Sequence, residues 1–410
     1  MAAKRPAADS AGLPRKKRAS NNFAMSPGWS GGDISDSLTV QRVCEMIGEK
    51  YSEGKNLHGV SVLSCFASLS PFPGLQGIPG VNVKEVAISD PHGLYTYLAE
   101  PCASKMEHVF KSAAPGAWCR KHDAQCAKGN FIDLLAADFL GFSTHKIDLK
   151  AFILASEPRA VVVLERGALS AAQIREVKDA LPPQYNTVSV SSIRIGDVGL
   201  PQHGSVTALV AKINDPVVVR LRLAQVVHEK NLLAKVSVAL AAGWQAMEDD
   251  GNYQGRKDTG KKTDDASIEQ ARQSLVEMEL IPEDCAITED CKMIALDAVG
   301  VAKVAALRYW MDKKGASSGF VDTNKKAGHV HIDGTFQFDT VGQKPLVVSD
   351  VKDRQVNIRR LMPPHVLALN GYEPGDYNLA IRMRPSAYAA ACKMIPLPIA
   401  YAVCNAALAK

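Results

Sequence analysis

No apolar run in this chain approaches the ~20 uninterrupted residues that crossing a bilayer requires, and no apolar stretch of the secretory kind follows its basic N-terminus. Both absences predict a protein without a membrane partner. A dinucleotide-type glycine fingerprint, a zincin helix and a recognisable Ser-His-Asp set are also missing, so no catalytic residue is assigned and no cofactor is expected. Net charge is absent from most of the chain. Residues 1–20 hold Lys4, Arg5, Arg15, Lys16, Lys17 and Arg18 against Asp9, which accounts for the whole formal charge of +5 and leaves residues 21–410 neutral. A neutral body excludes a general attractive field for nucleic acid; any site there has to be a local patch. The nine cysteines are an odd number scattered over a long chain, a usage that predicts reduced thiols in a reducing compartment.

What is present begins with those cations. Lys4-Arg5 and Lys16-Lys17-Arg18 flank a ten-residue spacer, Pro6 to Arg15. Pro6, Gly12 and Pro14 oppose helix, and a segment this polar buries too little apolar surface to order itself. An extended arm follows from both. The pattern resembles the nucleoplasmin-type bipartite nuclear import signals. That resemblance implies an import receptor as partner, with Lys4, Arg5, Arg15, Lys16, Lys17 and Arg18 as its contacts, and a nuclear location.

The remaining residues are more than one ordinary core holds. The expected class is α+β, in two lobes: a mixed α/β N-terminal half and a helix-rich C-terminal half, behind a disordered basic arm. Residues 1–33 form the arm, 34–247 the first lobe ending in a long apolar segment, 248–265 an exposed loop, and 266–410 the second lobe with a short strand region. Strands are expected at Val83 to Ile88, Leu94 to Leu98, Ala160 to Glu165, Thr187 to Ile195 and Ser205 to Ile213. Ser170 and Gln173 occupy capping-box positions for a helix that Pro182-Pro183 stops. Further helices are expected from Asp36-Ser37 to Gly54, over Asp265 to Leu280, over Glu289 to Lys314, and over Ser386 to Lys410 packed on its own lobe. Residues 328–338 alternate as a half-buried strand, with His329, His331 and Asp333 on one face.

Few residues carry a chemical signature. Gly255 to Lys261 has the glycine-lysine spacing of a phosphate-cradling loop, but Lys262 stands where a hydroxyl must hold magnesium, and no buried strand precedes it. Asp258-Thr259-Gly260 spells the aspartic-protease triplet among lysines, where nothing buries the carboxyl. Cys102, His108, Cys119, His122 and Cys126 are soft ligand types, yet their spacing fits no standard zinc finger. No metal site is assigned, and the sequence leaves open whether that cluster binds one. For nucleic acid, the concentrated cations are Arg354, Arg359, Arg360, Arg382 and Arg384, near Tyr372, Tyr377 and Tyr388, together with Lys257, Lys261 and Lys262 on the loop. Arginines hold phosphates and aromatic rings stack bases; Asp350, Asp353, Glu373 and Asp376 dilute the patch.

A basic arm on a neutral body without catalytic signature resembles, in layout, viral coat proteins and nucleoproteins that enter the nucleus. The expected function is therefore a nuclear nucleic-acid-binding structural protein that self-assembles on RNA or DNA as a homo-oligomer. The alternatives are a nuclear adaptor or regulatory protein that binds other proteins, and an enzyme whose site is assembled from distant residues. Replacing Lys16, Lys17 and Arg18 with Ala is expected to leave a fluorescent fusion in the cytoplasm; nuclear accumulation at the wild-type level removes the import assignment.

Overall fold

The computed structural model describes residues 57–88 (apart from 79), 106–126 (apart from 115), 131–195 (apart from 186), 204–213 and 263–314 (apart from 280 and 293–295), then 318–321, 330–331, 346–351, 355–360, 366–367, 370–372, 377 and 385–409. The basic arm, the helix expected from Asp36, the strand at Leu94 to Leu98, the apolar segment before 247 and most of the loop after it lie outside the described residues.

The N-terminal elements are β1 (His58–Cys65), α1 (Phe72–Leu75), β2 (Asn82–Ile88), β3 (Met106–Phe110), β4 (Trp118–Cys119), β5 (Ala124–Gln125), β6 (Leu134–Ala137), α2 (Phe139–Ser156), β7 (Ala160–Arg166), α3 (Ala171–Ala180), β8 (Val188–Arg194) and β9 (Ser205–Lys212). Their strands form one nine-stranded sheet in the order β5-β4-β3-β2-β1-β6-β7-β9-β8. β3, β2, β1, β6 and β7 pair in parallel, while β9 runs antiparallel to both β7 and β8. The chain starts in the middle at β1 and winds out to β3. It then returns to the other side of β1 with β6, so the sheet is doubly wound. The mixed α/β N-terminal half expected from the sequence is what the structure shows.

Runs such as Ala160 to Leu164 are apolar at every position because both faces of these strands are covered. Period two sorts the side chains. Val60 and Val62, Leu134 and Ala136, Val162 and Leu164, and Ala208 and Val210 point to one face. Leu63 and Cys65, Leu135 and Ala137, Val161 and Val163, and Leu209 and Ala211 point to the other, where Phe142, Leu149 and Ile153 of α2 and Val177 of α3 cover them. α3 starts with the expected capping box: Gln173 N donates to Ser170 Oγ at 3.3 Å and Ser170 N to Gln173 Oε1 at 2.8 Å.

The first face is covered from the far end of the chain. α6 (Pro385–Lys393) and α7 (Leu397–Leu408) bury Ala391, Ile399, Ala400 and Val403 in the same cluster as β1, β6, β7 and β9. Two cations from the sheet hold the end of α7, where carbonyls lack helical partners and the helix dipole is negative. Arg159 Nη2 donates to Leu408 O at 3.0 Å, and Lys212 Nζ donates to Ala409 O. The terminal helices were expected on their own lobe; they instead complete an α/β/α sandwich, because the sheet face opposite α2 and α3 has apolar side chains at every second position.

A second unit has its own core. α4 (Asp265–Glu277) is capped by Asp264 Oδ1, which accepts from Ser267 N at 2.8 Å, and packs Ile268 and Leu275 against Val301, Val304 and Ala305 of α5 (Ala298–Lys314). The helix expected from Glu289 starts only at Ala298; Glu289–Lys292 is a short 3-10 turn. Lys292 Nζ pairs with both Asp265 at 2.7 Å and Glu289 at 2.8 Å. Beside α5 lies an antiparallel sheet of β10 (Ser318–Val321), β11 (Val330–His331), β12 (Leu346–Val351) and β13 (Gln355–Arg360), in the order β11-β10-β12-β13. Of the expected strand 328–338, the described part is β11. No helix among the described residues is long and apolar enough to cross a membrane.

Ile399→Ala, which empties part of the face shared by α7 and the sheet, is expected to cost about 2–5 kcal/mol. Denaturant unfolding checks the size, and amide exchange in β7 checks the place. Unchanged protection of β7 would mean that the terminal helices are a separate unit.

Candidate functional site

In a doubly wound sheet the chain leaves the two central strands in opposite directions, and the crevice this opens at their carboxyl ends is where such folds bind ligands. Here those strands are β1 and β6, ending at Cys65 and Ala137. Three short segments line the edge: the turn Phe66 to Pro71, Asp138 with the start of α2, and Glu165 to Gly167 at the end of β7.

Asp138 caps α2 and is buried at 7% exposure. Its Oδ1 accepts from Ala67 N at 2.9 Å and Gly141 N at 2.8 Å; its Oδ2 accepts from Ser68 N at 2.9 Å and Ser68 Oγ at 2.8 Å. The carboxylate therefore spans the crevice, tying the turn after β1 to the first turn of α2. The approach is close. A Cβ on Gly141 would lie 2.2 Å from the Cys65 carbonyl oxygen and 2.7 Å from Asp138 Oδ1, so only glycine fits.

A second buried chain of polar groups lies beneath the same turn. Ser64 Oγ donates to Ser70 Oγ at 2.9 Å, and Ser70 Oγ donates to Glu85 Oε1 of β2 at 2.6 Å. Tyr377 Oη donates to the Ser70 carbonyl at 2.7 Å, bringing the C-terminal part of the chain onto the turn. Such a network fixes one arrangement when every member is partnered, because unpaired groups are costly away from water.

At the end of β7 the neighbours Glu165 and Arg166 diverge. Glu165 Oε2 accepts from Phe139 N at 3.0 Å. Burial raises its pKa, partly offset by that hydrogen bond; the nearby Asp138 raises it further, and Lys393 works against the rise. Arg166 donates from Nη1 to Asn370 Oδ1 at 2.9 Å and to Met394 O at 3.0 Å. Burial brings its pKa down to about 10, so it is still cationic near neutral pH. Arg166 anchors the C-terminal segment, and Glu165 holds the start of α2.

A separate cluster lies at the β3 end of the sheet. His108, Cys119, His122 and Cys126 bring their ligand atoms within 4.8 Å of one another. Burial lowers the His108 pKa, and the neighbouring His122 lowers it further. Cys102 lies outside the described residues.

The residues chosen from the sequence fall elsewhere. Arg354, Arg382, Arg384, Lys257, Lys261 and Lys262, the import cations Lys4, Arg5, Arg15, Lys16, Lys17 and Arg18, and the loop 255–261 lie outside the described residues; Arg359 and Arg360 end β13. Tyr372, Tyr377 and Tyr388 are not a stacking platform. They are 3%, 2% and 5% exposed, and Tyr372 Oη donates to Ile395 O at 2.5 Å inside the core. Sequence reasoning missed Asp138, Ser68, Ser70 and Glu165. One local signal was available for the first: Asp138 stands three residues before Gly141 at a helix start, as a side-chain cap requires.

No family model matches the chain, and no curated protein matches it. Solved structures do. A protein encoded within an E. coli prophage and described as a DNA modification methyltransferase aligns at TM-score 0.41 and 11% identity, over 85% of this chain and 98% of its own. The S. pombe Dnmt2 methyltransferase aligns at 0.36 and 11%, over 84% and 96%. The Entamoeba histolytica methyltransferase EhMeth aligns at 0.38 and 11%, over 85% and 97%. At such scores the likeness carries nothing about activity, and the fold assignment rests on the strand order. The expectation of a self-assembling viral nucleoprotein or coat is corrected on the strand order: a doubly wound sheet with a crevice at its switch point is an architecture that binds ligands.

The raised pKa of Glu165 gives a prediction with a fixed sign. Its protonated form is favoured in the fold, so this contribution is fully present below the ordinary carboxyl pKa of about 4.3 and is lost as pH rises through the raised folded value. Glu165→Gln is therefore expected to gain stability relative to wild type on going from about pH 4 to pH 7, measured as denaturant midpoints. A difference independent of pH contradicts the assignment.

Proposed function

We propose that the chain is a nuclear, nucleic-acid-associated regulatory protein in which a doubly wound sheet serves as a rigid body and its crevice is held shut by the chain's own side chains. The observation that carries this reading is the Asp138 carboxylate spanning the crevice. In folds of this kind the amides of the first strand-to-helix turn receive the polar end of a nucleotide-like ligand. A methyl donor such as S-adenosylmethionine needs those amides and the space in front of them. The described residues do not fit it. The amides of Ala67 and Ser68 already donate to Asp138, and the turn Phe66 to Pro71 contains no glycine. Ser68, Leu69, Ser70 and Phe72 are buried, at 8%, 1%, 0% and 0% exposure.

Support for the nuclear and nucleic-acid parts comes from the N-terminal cations. Six basic residues within the first eighteen give both a pattern of the bipartite import type and a cluster of cations for phosphates. Regulation, rather than transfer chemistry, then follows from a body that presents surfaces without turning over a substrate.

One observation favours a second reading, a group-transfer enzyme. Glu165 lies at the carboxyl edge with a raised pKa, as a proton-handling residue would. Calorimetric titration of the full chain with S-adenosylmethionine separates the two. The regulatory reading predicts no saturable heat up to about 1 mM. Micromolar binding with methyl transfer to DNA or RNA overturns it in favour of the enzyme.

A further inference from the structure

The edge hairpin of the large sheet is too small to hold itself together. β4 and β5 have two residues each, and such a hairpin is marginal in water without a further tie. Its backbone is joined to β3 by Lys111 N donating to Trp118 O at 3.1 Å and Arg120 N to Val109 O at 2.7 Å. The tight turn between the strands is set by Asp123, which has a left-handed φ of +49° and accepts from Trp118 Nε1 at 3.1 Å. That turn returns the chain from β4 to pair as β5.

Four soft ligands converge there. His108 comes from β3, Cys119 from β4, His122 from the turn and Cys126 from just beyond β5. Cys119 Sγ lies 3.8 Å from His108 Nδ1 and 3.5 Å from His122 Nδ1, and Cys126 Sγ lies 3.4 Å from His122 Nδ1. A tetrahedral zinc ion with bonds of about 2.3 Å to sulfur and about 2.0–2.1 Å to nitrogen sets neighbouring sulfur and nitrogen ligands about 3.5 Å apart. The separations correspond. Thiol to imidazole hydrogen bonds are weak and explain one such contact, not four ligand atoms gathered within 4.8 Å of one another.

We propose that His108, Cys119, His122 and Cys126 bind a single zinc ion that fastens the edge hairpin to β3. All four positions are then protein ligands, so the ion has no open site for catalysis and is structural. The site is on other strands than the crevice: β3 is separated from β1 by β2. It stands whether or not the regulatory reading does.

The test is elemental analysis of the full chain purified without chelator under reducing conditions, followed by exchange with cobalt. About one zinc per chain is expected, with visible cobalt bands of a tetrahedral site and thiolate charge transfer. Cys126→Ser and His122→Ala are expected to lower zinc content at least tenfold. His122 is exposed, so that variant removes a ligand without emptying the core. Cys285→Ser, in the second unit, is expected to retain the metal. A metal-free wild-type chain that gives no cobalt bands, a Cys119–Cys126 disulfide in the reduced preparation, or full zinc retention in His122→Ala overturns the proposal.

Discussion

The Asp138 carboxylate is the point on which the rest of the structure depends. Four donors meet it, two from the turn after β1, one from the Ser68 hydroxyl and one from the first turn of α2. Because charge-assisted bonds of this kind are strong and the site is buried, the carboxylate fixes how β1 and β6 leave the sheet. α2 is thereby seated with Gly141 against the last carbonyl of β1, and Phe139 N is delivered to Glu165. The same contacts that order the centre of the fold use up the amides that a ligand would need.

A second constraint is the apolarity of both sheet faces. Strands that alternate Val, Leu and Ala on either side need two helical layers. α2 and α3 supply one from neighbouring sequence, and the other comes from α6 and α7 at the end of the chain. Arg159, Arg166 and Lys212, all at strand ends of the sheet or beside them, donate to carbonyls of the terminal segment. Cations at these rims locate the returning helices and leave their apolar faces free of charge.

Local features were legible in the sequence. β7 showed as an uninterrupted apolar run, β8 and β9 as further strands, and α3 through its capping box, because each signal lies within a few neighbouring residues. β1, β6 and α2 were not read. Gly59, Ser61 and Ser64 break up β1, and α2 mixes apolar and polar residues without a clear stripe, so tertiary burial overrides local pattern there. The docking of α7 on the large sheet was beyond reach for a different reason: a small, apolar helix fits many partners, and only the pairing of distant faces selects one. The tyrosines near the arginines illustrate the same limit. A ring beside a cation in sequence serves as a stacking platform only if exposed, and Tyr372 and Tyr377 face the core. The zinc ligands were visible as residue types, yet His108 and the hairpin that carries the other three come together only through β3 and β4 pairing.

If the chain itself closes the crevice, amide hydrogen exchange of the full chain without any ligand will show it. The amides of Ala67, Ser68 and Gly141 are then expected to exchange as slowly as those in the middle of β6. Rapid exchange at Ala67 and Ser68, with β6 still protected, would mean donors open to solvent and a crevice ready for a ligand.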